Sequence, residues 1–229
     1  MLRMYDLAGA EEARRFSPYC WRVRLAVAHK GVDMETVPWR FTEKAALAPS
    51  GQERVPVLVD GAAWISDSWA IAGHLEQRFP EAPSLFGPPP GRALTRLHAV
   101  FGDVLVGAIA RFILCDVHAH LDARDRAYFR ASREQRFGAT LEAVVADRDA
   151  RLPAFRDSLA PLRATLKAQP FLGGERPLYA DYAVFGAFQW ARCTSRYRLV
   201  EADDPVAQWR ERLLDAFGGL ARAAPGYDA

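Results

Sequence analysis

Four residues near the amino terminus, Ser17-Pro-Tyr-Cys20, form the first combination able to do chemistry. They stand between a strand-like run and a run of helix formers, so Pro18 suits a first helical position. The free N–H groups of such a helix start favour an anion. Ser17 then has two readings. As an N-cap it satisfies the N–H of Tyr19 or Cys20 and does nothing else. As a donor, its hydroxyl steadies a bound thiolate, lowering the thiol's pKa and raising the reactive fraction at neutral pH. The second combination is Arg54-Val-Pro-Val57, where a proline, unable to donate to a ladder, precedes a strand that must pair. A cis Val55–Pro56 bond would turn the N–H and C=O of Val55 outward to pair with an extended peptide. Local sequence alone favours an ordinary trans proline on an edge strand. The third is Ser66-Asp-Ser68, which offers a carboxylate, a hydroxyl and free N–H groups at one point. These suit an amino acid head group, ammonium on Asp67 and carboxylate on Ser68, and they equally suit a plain helix cap.

Other groups point to chemistry more weakly. Cys115, Asp116, His118, His120 and Asp122 include metal-ligand types, but their spacing fits no standard motif and no metal is expected. Trp21, Trp39, Trp64 and Trp69 cluster in sequence around the first three combinations and could stack on an aromatic molecule, although most are expected in the core. Cys20, Cys115 and Cys193 are odd in number and widely spaced, which is neither a disulfide framework nor a zinc pattern and suits a reducing cytoplasm.

The elements that must position these residues follow from periodicity. Residues 2–7 read as a strand, 18–30 as a helix stopped by Gly31, and 34–38 as a second strand. A strand at 55–59, the turn pair Asp60-Gly61 and a short strand at 63–65 make a hairpin signal, followed by a helix over 67–79. Residues 1–80 are thus a small α/β layer unit. Residues 81–91, dense in proline and glycine, read as a linker. Beyond it, Leu94, Leu97, Phe101, Leu105, Ala108 and Phe112 recur every three or four residues. So do Leu152, Phe155, Leu159, Leu162 and Leu166, then Tyr182, Phe185 and Phe188, then Leu213, Leu214 and Phe217, making residues 92–229 an all-helical bundle.

Composition excludes some partners. Thirty basic residues face 28 acidic ones, and 27 of the basic residues are arginines scattered along the chain, which argues against nucleic acid. No apolar run approaches the roughly 20 residues of a membrane helix, and residues 1–6 do not read as a signal peptide.

Taken together in this order and spacing, the three combinations resemble the glutathione transferase family. Ser17-Pro-Tyr-Cys20 looks like a glutaredoxin-type active site with serine in place of the first cysteine. The resemblance implies a thioredoxin-like first domain and a helical second domain, with glutathione as cosubstrate. It implies that Ser17 assists the glutathione thiol, that Val55 before a cis proline pairs with the cysteinyl unit, and that Asp67 and Ser68 bind the γ-glutamyl group. It also puts Arg54 near the glycyl carboxylate. Phe101, Arg111, Phe112, Tyr197 and Arg198 are on helices that by resemblance line a pocket for a hydrophobic, aromatic second substrate; helix packing is the competing reading. Residues 17–22, 28–31, 53–57 and 67–69, with segments 132–135, 171–174 and 180–182, are most similar to bacterial β-etherases and related fungal proteins. Cys20 stands where valine or phenylalanine is common there, and Leu178 where many transferases carry a capping Ser or Thr. The implied chemistry is attack of glutathione thiolate on a hydrophobic electrophile, with aryl ether cleavage a first candidate. The alternatives are a thiol oxidoreductase using Cys20 and a binding module without catalysis. Relatives imply a homodimer.

Overall fold

A computed structural model, describing residues 1–228, shows a mixed sheet followed by helices. Strand β1 (Leu2–Leu7) leads to helix α1 (Pro18–His29) and strand β2 (Met34–Trp39), and after a 3-10 turn at Lys44–Ser50 come β3 (Val57–Asp60), β4 (Ala63–Ser66) and helix α2 (Ser68–Arg78). The sheet order is β2-β1-β3-β4, with β1 parallel to β2 and antiparallel to β3, and β3 antiparallel to β4. This is the thioredoxin-like arrangement, and the rest is helical: α3 (Gly91–Ala119), α4 (Ala123–Phe137), α5 (Leu141–Val145), α6 (Arg148–Ser158), α7 (Ala160–Ala168), α8 (Tyr179–Thr194) and α9 (Pro205–Gly219).

Helix α8 is buried at every one of its residues. It packs on α3 and on α1, so it joins the helical bundle to the helix that begins at Ser17. Two glycines set how close these helices come. A Cβ at Gly186 of α8 would lie 2.3 Å from the carbonyl oxygen of Pro18, and one at Gly102 of α3 would lie 2.4 Å from that of Ala183. Any side chain there would force the backbones apart.

The start of α8 is fixed by the Asp181 carboxylate, which has no exposed surface. Its Oδ1 accepts from Leu172 N at 2.7 Å and Trp209 Nε1 at 2.8 Å, and its Oδ2 from Gly173 N at 2.9 Å and Leu178 N at 3.0 Å. Leu178, with no side-chain acceptor, leaves the capping of α8 to this carboxylate. Four donors on one carboxylate offset the desolvation of burying it.

Several elements differ from the pattern in the sequence. The third strand begins at Val57 rather than Val55, because Pro56 has no N–H for the ladder. The 152–166 periodicity is two helices, broken at Leu159. Phe217 lies past the regular part of α9, at φ 53°, with Gly218 and Gly219 following at positive φ. Helices α4 and α5 and the 3-10 turn gave no apolar periodicity.

Asp181→Asn keeps the shape of the side chain but supplies an NH2 where two N–H donors now point. It should lower stability by about 2–4 kcal/mol, the desolvation cost of leaving those donors unmatched. Urea unfolding should show this as a lower midpoint with an unchanged slope; an unmoved midpoint would mean that the four bonds are not what holds α8.

Candidate active site

Ser17 lies where the chain leaves β1 and enters α1, with φ −60° and ψ 125°, and its Oγ accepts from Cys20 N at 3.2 Å. The capping reading therefore holds, and it leaves the donor reading open. An oxygen that accepts from a backbone N–H keeps its own proton for another partner. Ser17 is 4% exposed, and the surface it shows faces a cavity of about 620 Å³.

Arg54 and Val55 line the same cavity, and the Val55–Pro56 bond is cis, against the trans form that local sequence favours. Among the described residues the main-chain groups of Val55 enter no hydrogen bond within the chain. Asp67 and Ser68 do not line the cavity. The register pairs Val57 with Ser66, which sets the start of α2 at the same sheet end as Val55. Asp67 caps α2, its Oδ1 accepting from Trp69 N at 2.9 Å and Ala70 N at 3.0 Å. It does so at φ 76°, a backbone form that costs about 1–3 kcal/mol for a residue with a Cβ. Ser68 is buried, and its carbonyl accepts from Tyr179 Oη at 2.7 Å.

The aromatic residues placed in the pocket by resemblance are elsewhere. Phe112 is buried against Phe155 and Tyr197, with centroids 5.2 and 5.7 Å away. Phe101 is half-buried against the core, and neither it nor Arg111, Tyr197 or Arg198 lines the cavity. The α3 residues that do are Asp103, Val106, Gly107, Ala110, Leu114 and Val117, recurring every three or four positions. Phe101 and Phe112 fall two residues off this row, on the far side of the helix.

The opposite wall is α4, which the apolar pattern did not reveal. Tyr128 and Phe129, Ser132 and Arg133, Arg136 and Phe137 recur every four residues and share one face. Asp122 caps this helix, accepting from Asp125 N at 2.8 Å, and Gly138 ends it at φ 66°. Buried Asp125 then accepts from Phe41 N at 2.9 Å, Thr42 N at 3.0 Å and Thr42 Oγ1 at 2.8 Å, holding α4 to the loop after β2. The spacing 128/132/136, between Asp122 and Gly138, is the signal that could have found this wall.

Cys20 is wholly buried, does not line the cavity, and has its thiol pKa pushed well up, first by burial and then by Asp6. Of the tryptophans, Trp39 lines the cavity, while Trp21 is in the core and donates to Arg15 O at 2.9 Å. In the Cys115–Asp122 stretch, Asp116 accepts from Ser195 Oγ and His120 contacts Thr194 O, both structural bonds. Among the described residues, no helix is long and apolar enough to cross a membrane.

Comparison with known proteins agrees with this geometry. Residues 13–83 match the glutathione S-transferase N-terminal domain and residues 94–217 the C-terminal domain. The glutathione S-transferase-like protein ustS of Aspergillus flavus is 30% identical over 199 residues, covering 81% of this chain and 65% of that protein, so this chain spans less than two thirds of that relative. A Ceriporiopsis subvermispora glutathione S-transferase, solved in complex with glutathione, superposes with a TM-score of 0.85 at 24% identity, covering 100% of this chain and 99% of that one. Phanerochaete chrysosporium glutathione transferase GSTFuA3 superposes at 0.76 and 25% identity, over 96% and 93% of the two chains. With both halves matched in order and a full-length fold in common, the chain belongs to the glutathione S-transferase family.

Proposed function

We propose that this protein is a glutathione transferase of the serine type. Residues 1–80 hold glutathione, residues 81–91 connect, and residues 92–229 supply the side of the cavity that takes an electrophile. The observation that carries the reading is Ser17, a buried residue at the start of α1 that lines the cavity and whose Oγ, accepting from Cys20 N, still carries a proton of its own to donate. Glutathione would lie along the sheet end, its cysteinyl backbone on Val55, its γ-glutamyl group on Asp67 and Ser68, and its glycyl carboxylate near Arg54.

The chemistry follows from that placement. The bound thiol releases its proton to solvent, favoured by the Ser17 hydroxyl and the N–H groups of α1. The thiolate forms a carbon–sulfur bond as the bond from that carbon to the leaving group breaks, and the leaving group departs with the electron pair. For a β-aryl ether the leaving group is a phenolate. Holding thiolate and electrophile in one enclosed cavity removes most of the entropic cost of their meeting. The likeness of segments 17–22, 53–57 and 67–69 to β-etherases supports aryl ethers as the substrate class to try first. The burial of Cys20 counts against an oxidoreductase, since thiol exchange needs an accessible thiolate. Three free cysteines fit a cytoplasmic setting.

Homodimer formation is part of the same reading. Along α3, Leu94, Leu97, Val100 and Val104 are 54%, 67%, 47% and 61% exposed. An apolar row of this length on one helix face is suited to burial against a second copy of the chain.

Ser17→Ala should leave calorimetric glutathione affinity nearly unchanged while removing the ultraviolet signal of bound thiolate. Turnover should drop about 10- to 100-fold, the worth of one hydrogen bond to a charged group. Wild-type turnover in this variant would make Ser17 a cap alone; binding with neither signal nor turnover in the native protein would point to the non-catalytic module. Cys20→Ala should keep conjugating activity, and its selective loss in a folded protein would favour the oxidoreductase. By sedimentation at micromolar concentration the native chain should be a dimer and a Leu97→Glu, Val104→Glu double variant a monomer.

A further inference from the structure

The cavity beside Ser17 has an unbalanced wall. Arg54, Arg133 and Arg136 line it, and none of the three enters an ion pair among the described residues. Two carboxylates line it as well, but each is matched by a cation that does not: Glu53 pairs with Lys44 at 2.6 Å and Asp103 with Arg22 at 2.9 Å. The guanidiniums are thus the charges without a counterpart. Elsewhere on α4 the pattern is different, since Arg130 is paired with both Glu134 and Glu142 at 2.8 Å.

Arg133 is placed by aromatic rings rather than by an acid. Its guanidinium lies 4.7 Å from the Phe129 centroid and 5.6 Å from that of Phe41, and it donates to Ser132 Oγ at 3.0 Å. Rings over a guanidinium occupy its faces and leave edge donors in plane for a flat acceptor. Burial, and then the nearby guanidinium of Arg136, pull its pKa below the ordinary value, with Arg54 adding to the effect. It remains protonated. A half-buried cation beside two like charges is unfavourable until an anion joins it.

Glutathione does not remove this imbalance. On the reading above, its two carboxylates go to Ser68 and to Arg54, so Arg133 and Arg136 are still without an acid once it is bound. Both are on the α4 face that carries Tyr128, Phe129 and Phe137.

We propose that the electrophile is an aromatic carboxylate, its ring packed on the Phe41, Tyr128 and Phe137 side of the cavity and its carboxylate held by Arg133 and Arg136. This inference rests on the glutathione transferase reading and narrows it. The two arginines are specificity residues: they select and orient the second substrate and take no part in activating the thiol.

The test uses two product-like conjugates, S-(4-carboxybenzyl)glutathione and its neutral isostere S-(4-carbamoylbenzyl)glutathione, titrated into the full chain by calorimetry. The carboxylate should bind at least about tenfold tighter at low salt, the equivalent of one charge-assisted hydrogen bond over a neutral one. Added salt should shrink the preference. Arg133→Met should abolish it, and the exposed Arg136→Met, least disturbing to folding, should remove part of it. The readout is the ratio of two affinities, so a general loosening of the cavity that weakens both leaves it unmoved. Equal affinities in the native protein would overturn the anionic substrate while leaving the glutathione reading standing. A preference that persists in both variants would overturn the assignment to these arginines. If glutathione and both conjugates fail to bind, the transferase reading falls and this inference falls with it.

Discussion

Four N–H groups converge on the Asp181 carboxylate, and the order of the molecule can be traced outward from that point. The carboxylate ties the loop at Leu172 and Gly173, the first turn of α8 and the indole of Trp209 on α9 into one unit. Helix α8, so anchored, is buried along its whole length and receives α1 on one side and α3 on another. Because Gly186 meets the carbonyl of Pro18 and Gly102 meets that of Ala183, these helices touch through backbone. Backbone contacts have little slack. The position of Ser17 is therefore a consequence of a carboxylate more than 150 residues further along the chain.

The cavity joins two kinds of construction. One end is made of main-chain geometry, the start of α1 at Ser17 and the cis bond before Pro56, with the Asp67 cap of α2 at the same sheet end but outside the cavity lining. On the proposed reading, such parts suit the features common to any peptide, which glutathione presents. Its other wall, α4, is made of side chains repeating every four residues on a polar helix, latched to the first half by Asp125. On the same reading, those parts would meet whatever is particular to the second molecule. Phe101 and Phe112 are outside the cavity because the α3 row that faces it runs through Asp103, Gly107, Ala110, Leu114 and Val117, and these two fall on the far side of the helix.

Much of the first half is legible in the sequence because its signals are local. Ser17-Pro18 marks a helix start, Asp60-Gly61 a hairpin and Gly31 a stop, each through the conformational preference of one or two residues. The isomer at Val55–Pro56 is not legible in the same way, because tertiary packing selects it and the local chain prefers the other form. Helix α4 escapes for a different reason: its inner face is tyrosine, serine and arginine as much as phenylalanine, so no apolar stripe stands out, and only its cap, its glycine stop and its four-residue spacing mark it. The roles of Asp125 and Asp181 are invisible locally, since each bonds to residues brought in from elsewhere in the chain.

The contrast between the glycine contacts around α8 and the side-chain wall of α4 bears on how such a protein can change over generations. A substitution at Gly186 or Gly102 meets backbone that has nowhere to go. A substitution at 128, 132, 133 or 136 alters a partly solvated surface whose helix is held from its other end by Asp122 and Asp125. On the proposed reading, selection could therefore rewrite what the cavity accepts one residue at a time without disturbing the thiol site or the fold. Such an architecture would keep the proposed nucleophile as inheritance and leave the choice of electrophile open to drift.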